Sequence, residues 1–233
     1  MITLTIDGHE VEVKEGRTIL EAARQHGLGT IPTLCYHEAL APFAACRMCL
    51  VELENRRNGA LAPACAYPCE EGLIVHTDSE KVRRSRRMTI ELLMASAAHA
   101  PLIRAMAEDL GVEAPRYTTE SNTCILCGLC VRACDEIVGV HAISFINRGG
   151  EKQVSPPFHI ASNACIECGT CVLICPTGAI TLADITGKQG GQTAHAWESQ
   201  WTAADCRVCG DFYQERQLDH VAGVLVAAQE AVS

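Results

Sequence analysis

Apolar and polar residues alternate over residues 2–7 and again over residues 10–13. A period of two is typical of half-buried strands, and Asp7-Gly8 between the two runs favours a tight hairpin turn. Thr18 then precedes an apolar segment with Glu21 at the third helical position, which is the capping-box pattern of a helix start. Two strands followed by a helix are the opening of a β-grasp domain.

The pattern beyond this helix predicts two further strands and a helical connector. Strands are expected in CLVELEN and in LIVHT, after which the β-grasp domain closes near Thr77. The sequence then changes to a helical period up to about Ala98, with Asp78 or Ser79 as the N-cap. A second, shorter helix is expected over 102–110, ending at Gly111.

The second half of the chain carries two cysteine runs with one spacing. CILCGLCVRAC begins at Cys124 and CIECGTCVLIC begins at Cys165, and each has the form C-x2-C-x2-C-x3-C. This spacing is that of a paired 4Fe-4S protein, in which the fourth cysteine of each run binds the other cluster. One cluster is therefore assigned to Cys124, Cys127, Cys130 and Cys175, and the other to Cys165, Cys168, Cys171 and Cys134. Zinc is the alternative use of C-x2-C pairs, but a zinc site needs two pairs and not a repeated set of four.

Short β-segments follow each cysteine run. HAISFINRGG and KQVSPPFHI predict two strands joined through Gly149-Gly150, and Ile180 with Leu182 predicts a last strand. A cysteine run followed by a β-segment, repeated twice, predicts the pseudo-two-fold fold of a bacterial-type ferredoxin.

A second cysteine motif lies in the long loop of the N-terminal domain. Cys35, Cys46 and Cys49 are clustered, and Cys65 follows after fifteen intervening residues. This arrangement resembles that of a plant-type 2Fe-2S loop, although the gap between the first two cysteines is longer here. Cys69 is the rival for the fourth ligand. Cys65 is preferred because it follows Pro63-Ala64 directly and leaves a compact return to LIVHT, so Cys69 is interpreted as a small buried hydrophobe.

Composition and charge narrow the class of protein. The chain has 233 residues, 15 cysteines and a formal net charge of −9. No apolar leader begins the sequence, so the cysteines are expected to be thiolate ligands in a reducing cytoplasm rather than disulfides. The acidic balance argues against a nucleic-acid partner, and the longest apolar run, 221–228, is too short to cross a membrane. The basic run from Lys81 to Arg87 is interpreted as a solvated helix face or a docking surface for an acidic partner.

The C-terminal segment begins after Thr186 with a flexible glycine linker. It contains Trp197 and Trp201, which are expected to pack on the tail's own body or on another subunit. It also contains Cys206 and Cys209, a pair that no four-cysteine set accounts for. Three interpretations stay open: reduced structural thiols, a redox-active pair, or a further metal site completed by Cys69 and His99 or by a neighbouring subunit.

The motifs together resemble a known iron-sulfur region. CRMCLVE, PAC, CILCGLCVRACDE, AISFINRG and CIECGTCVLICPTGAI are similar to the region shared by the large peripheral subunit of complex I, iron-only hydrogenases, NAD-linked formate dehydrogenases and the diaphorase subunit of NAD-reducing nickel-iron hydrogenases. The resemblance covers residues 1 to about 185. It implies a 2Fe-2S domain held by Cys35, Cys46, Cys49 and Cys65, and a two-cluster module held by the eight cysteines above. Many relatives insert another cluster starting H-x3-C-x2-C, whereas here His99 is followed by no thiolate.

The expected fold class is α+β. It consists of a β-grasp 2Fe-2S ferredoxin domain over 1–77, a helical connector over 78–118, a tandem 4Fe-4S ferredoxin domain over 119–185, and a linker and docking tail over 186–233. The chain shows no phosphate-binding glycine fingerprint, so the resemblance implies an electron-transfer subunit without its own catalytic site. Its expected partners are a flavin-bearing NAD(P)H subunit and a catalytic hydrogenase or formate dehydrogenase subunit.

Two other function classes compete with this interpretation. One is the iron-sulfur subunit of a succinate dehydrogenase or fumarate reductase, which would carry a 3Fe-4S centre. The other is a non-enzymatic redox sensor or cluster protein, which would be expected to carry an effector domain or an exposed labile cluster.

Overall fold

The computed structural model describes residues 1–56, 58–117, 123–157, 164–181 and 185. Over these residues the chain forms two compact units, which are described separately. The first is built from Met1–His37, Pro42–Ala98 and the described residues of Met106–Ser121. The second is built from Glu38–Ala41, His99–Ala105 and the described residues after Ser121.

The first unit contains a mixed five-stranded sheet. Its strands are β1 (Ile2–Ile6), β2 (His9–Val13), β3 (Leu50–Leu53), β4 (Ala60–Pro63) and β5 (Ile74–His76), in the order β2-β1-β5-β3-β4. Strands β1 and β5 run parallel, whereas the other neighbours are antiparallel. The predicted hairpin and the predicted strands β3 and β5 are confirmed, and β4 was not predicted.

Local chemistry explains the hairpin and the first helix. Asp7 and Gly8 both have positive φ, 48° and 82°, as a two-residue turn between strands with right-handed twist requires. Helix α1 (Ile19–Gln25) begins with the predicted capping box, because the backbone N–H of Glu21 donates to Thr18 Oγ1 at 3.3 Å and the N–H of Thr18 donates to Glu21 Oε2 at 2.8 Å. The apolar face of α1 packs on the sheet and forms one core with it.

Helix α2 (Glu80–Ala97) is the predicted connector, and Ser79 is its N-cap. Glu52 of β3 ties the sheet to the start of this helix, since it accepts a hydrogen bond from the hydroxyl of Ser79 and lies 3.8 Å from Lys81 Nζ. The buried face of α2 contains Arg86. The interpretation of the basic run as a solvated face was therefore wrong at this residue. Helix α3 (Pro101–Asp109) follows.

The second unit contains short elements next to cysteines. Helix α4 (Leu129–Arg132) continues into a π-helical turn (Ala133–Ile137), and helix α5 is Thr170–Leu173. Strands β6 (Ser144–Ile146) and β7 (Gln153–Ser155) pair antiparallel through a 3-10 turn at Gly149–Glu151, as predicted. The backbone of Ala41 is held within this unit, because its N–H donates to Glu136 at 2.7 Å and its carbonyl accepts from Arg132.

The last strand was predicted to contain Ile180 and Leu182, but Ile180 is not part of a strand. Ile180 is buried but lies in a bend, and Leu182 lies outside the described residues. The tail over 186–233 also lies outside them. Among the helices that the structure describes, none is both long and apolar enough to cross a membrane.

Candidate iron-sulfur centres

Strand pairing brings two distant cysteines together in the first unit. Cys49 immediately precedes β3 and Cys65 follows β4, and these strands pair with Leu50 opposite Pro63. The backbone N–H of Ala64 donates to the carbonyl of Cys49 at 3.0 Å, which continues the ladder by one residue. The sulfur atoms of Cys49 and Cys65 consequently lie 3.3 Å apart.

Cys35 and Cys46 join this pair from the long loop. The backbone N–H of Cys46 donates to the sulfur of Cys35 at 3.4 Å. The pKa of Cys65 is raised first by its hydrogen bond with Cys49, then by burial, and then by the charges of Cys49, Cys35 and Cys46. The same hydrogen bond lowers the pKa of Cys49 to about 7. The four thiols therefore form one electrostatically connected set.

Cys69 interacts with groups other than these four thiols. Its side chain is buried in the core of the first unit, and its backbone N–H donates to the carbonyl of Arg17 at 2.8 Å. Burial, and secondly the charge of Glu21, raise its pKa to about 11. A raised pKa disfavours the thiolate, which is the form that binds metal.

The second unit repeats one backbone conformation at its two cysteine runs. Leu126 and Glu167, each one residue before a cysteine, have left-handed φ values of 52° and 54°. Gly128 and Gly169 follow those cysteines with φ values of 72° and 75°, and α4 and α5 begin at the next residue. The equal spacing of the cysteines thus produces the same turn at both runs.

The fourth cysteine of each run affects the pKa of a cysteine in the opposite run. The pKa of Cys130 is raised mainly by burial. The charges of four other cysteines raise it further, in the order Cys127, Cys175, Cys171 and Cys124. The pKa of Cys171 is raised to about 12, first by burial and then by the charges of Cys168, Cys134 and Cys165. The charge of Cys175 thus acts on the first run and that of Cys134 on the second, where Cys134 also lines a cavity with Cys165, Cys168 and Cys171. Because Cys171 also acts on Cys130, the two sets are neighbours.

The surroundings of these thiols fit iron-sulfur clusters. Cys134, Cys165, Cys168 and Cys171 line one small cavity whose other walls include the apolar side chains Val138, Val140, Ala142, Ile143 and Ile185. Backbone N–H groups donate to sulfur at 3.3 Å from Ala142 to Cys134 and at 3.2 Å from Ala179 to Cys175. Such hydrogen bonds stabilise thiolates and are one of the means by which proteins adjust cluster potentials.

A single bound ion would require ligand atoms that converge on one point. Four thiolates around one zinc ion lie about 2.3 Å from it. In the part of the chain that the structure describes, no three His, Cys, Asp or Glu side chains are arranged to hold one ion.

Of the residues predicted for a further metal site, the structure describes two, which belong to different units. Cys69 belongs to the core of the first unit. His99 belongs to the second unit, where its exposed ring places Nε2 2.8 Å from the hydroxyl of Thr123. Cys206 and Cys209 lie outside the described residues. The hypothesis of a metal site at these positions stays a prediction.

Arg86 is a residue near the N-terminal set that the sequence analysis did not identify. Its Nη2 donates to the carbonyl of Leu50 at 2.8 Å, next to Cys49. The available signal was its position four residues from both Val82 and Ile90 on the buried face of α2.

Comparison with known proteins agrees with the two kinds of centre. A family model described as a 2Fe-2S iron-sulfur cluster binding domain matches residues 1–80. Another, described as a 4Fe-4S dicluster domain, matches residues 123–179.

Relatives with both regions occur among nicotinamide-linked enzymes. The chain is 36% identical over 212 residues to NADP-reducing hydrogenase subunit HndD of Solidesulfovibrio fructosivorans, covering 77% of this chain and 36% of that protein. It is 31% identical over 207 residues to the mitochondrial NADH-ubiquinone oxidoreductase 78 kDa subunit of Candida albicans, covering 77% of this chain and 28% of the relative. The chain thus spans about a third of the length of these curated relatives.

A solved structure is matched over more of its length. A chain from the crystal structure of an NAD+-reducing NiFe-hydrogenase in the H2-reduced state is 32% identical, with a TM-score of 0.58. The match covers 67% of this chain and 75% of that one. The chain therefore belongs to the family of iron-sulfur proteins in which a 2Fe-2S domain precedes a 4Fe-4S dicluster domain, and to which the matched hydrogenase chain also belongs.

Proposed function

We propose that the chain is the electron-transfer subunit of a multi-subunit oxidoreductase and relays single electrons through one 2Fe-2S and two 4Fe-4S clusters. The observation that best supports this proposal is the proximity of cysteines from the predicted sets: the Cys49 and Cys65 sulfur atoms lie 3.3 Å apart, and Cys134 lines one cavity with Cys165, Cys168 and Cys171. The 2Fe-2S ligands are Cys35, Cys46, Cys49 and Cys65. The 4Fe-4S ligands are Cys124, Cys127, Cys130 and Cys175 for one cluster, and Cys165, Cys168, Cys171 and Cys134 for the other.

The protein's own contribution is to hold and tune these centres. A bound cluster supplies reversible one-electron chemistry. The side chains of Cys35, Cys49 and Cys65 are almost wholly buried, which excludes water from the sulfur atoms. Backbone N–H groups of Cys46, Ala142 and Ala179 point at sulfur and stabilise negative charge there.

The partners follow from the relatives' names. The relatives described above are named as an NADP-reducing hydrogenase subunit, an NADH-ubiquinone oxidoreductase subunit and an NAD+-reducing hydrogenase. Each name combines a nicotinamide with a second redox partner. The proposed neighbours are accordingly a flavin-bearing NAD(P)H subunit and a catalytic subunit, with hydrogenase preferred to formate dehydrogenase. A reducing compartment such as the cytoplasm suits the twelve thiolate ligands.

The purified full chain, free of other subunits, is expected to exchange electrons but not to oxidise NADH. Under anaerobic conditions, dithionite should bleach its visible absorption and an oxidising dye should restore it. NADH with the same dye should produce no turnover above a blank without protein. Sustained NADH turnover by the isolated chain would refute the relay role, because it would require a nicotinamide site on this chain.

A further inference from the structure

Arg86 occupies an unusual position on helix α2. The buried stripe of this helix consists of Val82, Arg86, Ile90, Met94 and Ala97, so the arginine stands where the helical period calls for an apolar side chain. Only 4% of its surface is exposed. Arginine is almost never buried to this extent unless a partner compensates the loss of water, so its surroundings should reveal a role.

The hydrogen-bond partner of Arg86 lies beside a proposed 2Fe-2S ligand. In the β3–β4 ladder the carbonyl of Cys49 accepts from Ala64, and because alternate residues of a strand face opposite neighbours, the carbonyl of Leu50 faces away from β4. Strand β5 pairs with β3 only at Glu52 and Leu53. The carbonyl of Leu50 lies beyond that pairing, and Arg86 Nη2 supplies its donor at 2.8 Å.

The positive charge of Arg86 is not neutralised by an ion pair among the described residues. Its Nε is buried without a hydrogen-bond partner there. Burial lowers the pKa of Arg86, while the charges of Asp78, Cys49 and Asp7 act in the opposite direction. The guanidinium stays protonated because arginine does not lose its proton in proteins. Asp78 and Asp7 are exposed, so solvent screens them, whereas Cys49 is buried with Arg86.

We propose that Arg86 is a positioning residue that raises the reduction potential of the 2Fe-2S centre. Held on the carbonyl next to Cys49, its buried positive charge favours the state that carries one additional electron. This inference rests on the proposed function, since it takes Cys35, Cys46, Cys49 and Cys65 as the 2Fe-2S ligands. Net charge and burial are two of the factors that set cluster potentials.

The test is a redox titration of the full-length holoprotein followed by electron paramagnetic resonance. Arg86→Met, which removes the charge and suits the apolar stripe, should lower the 2Fe-2S midpoint potential. Unit charges less than about 10 Å apart, at an effective dielectric of about 20, change a one-electron equilibrium by at least about tenfold. For one electron, that tenfold change is about 59 mV.

Two comparison variants separate charge from structure. Arg86→Lys keeps the charge and should leave the midpoint close to that of the wild type. Arg84→Met removes an equal charge from the exposed face of the same helix, where solvent screens it, and should also leave the midpoint unchanged. The two 4Fe-4S signals serve as internal references in every sample.

The outcomes distinguish this inference from the proposed function. If Arg86→Met fails to fold, Arg86→Gln takes its place, since it keeps an amide donor for Leu50 and should produce the same shift. A neutral variant with an unchanged midpoint, or an equal shift in Arg86→Lys, overturns the role of the charge. A wild-type holoprotein without any 2Fe-2S signal overturns the proposed function itself.

Discussion

Replacing Cys65 by alanine is expected to abolish the 2Fe-2S signal of the reduced protein, whereas replacing Cys69 by alanine leaves that signal intact. The sulfur of Cys65 lies 3.3 Å from that of Cys49, and its pKa responds to the other three thiols of the set. The pKa of Cys69 responds only to burial and Glu21. A 2Fe-2S core needs four protein ligands, so the loss of one buried thiolate should remove about two iron atoms per chain.

The two variants are a matched pair, because both thiols are buried in the core of the first unit. Both should therefore lose comparable packing energy, about 1 kcal/mol for a removed sulfur-sized group. The 2Fe-2S signal is measured by electron paramagnetic resonance, and the iron content by iron analysis, in both holoproteins. A signal that survives in Cys65→Ala and disappears in Cys69→Ala would reassign the fourth ligand.

The second large effect concerns the crossed ligands of the two 4Fe-4S clusters. The double variant Cys124→Ala with Cys175→Ala should lose only one cluster, because both residues are proposed to bind the same one. The double variant Cys165→Ala with Cys175→Ala should lose both. The physical basis is that substitutions in one shared site do not add, whereas substitutions in separate sites do.

Iron analysis reads this difference directly. Of about ten iron atoms per chain, about six should remain in the first double variant and about two in the second. The single variants of Cys124, Cys165 and Cys175 are the controls, and each should retain about six. If the two double variants exchange their iron contents, each cysteine run binds its own cluster and the crossed arrangement is wrong.

Much of the fold followed from local patterns. The first hairpin depends on strict alternation and on Asp7-Gly8, and α1 depends on a capping box, so neighbours in the sequence determine both. Strand β4 was missed because its four residues, ending in Pro63, show no clear alternation. Asn58 and Gly59, with φ values of 57° and 70°, form the turn before it and were an available hairpin signal.

In the candidate sites, too, features set by local sequence were predictable, whereas those set by packing between distant elements were not. Cysteine spacing predicts which thiols form a set, because the number of intervening residues fixes the turn around a cluster. That assignment stays a prediction, whereas the family is confirmed by the comparisons. The buried charge of Arg86 was not predicted. Its environment depends on how α2 packs against β3, and a basic run gives no indication of which of its members faces the core.

The central claim is that one chain carries three one-electron centres. Its most direct test is the integrated electron paramagnetic resonance intensity of the fully reduced, anaerobically purified full chain, measured together with its iron content. The account predicts about three unpaired electrons and about ten iron atoms per chain, from one 2Fe-2S and two 4Fe-4S clusters. Four unpaired electrons with about fourteen iron atoms would contradict it by revealing a further 4Fe-4S cluster, and zinc in place of iron would contradict the relay altogether.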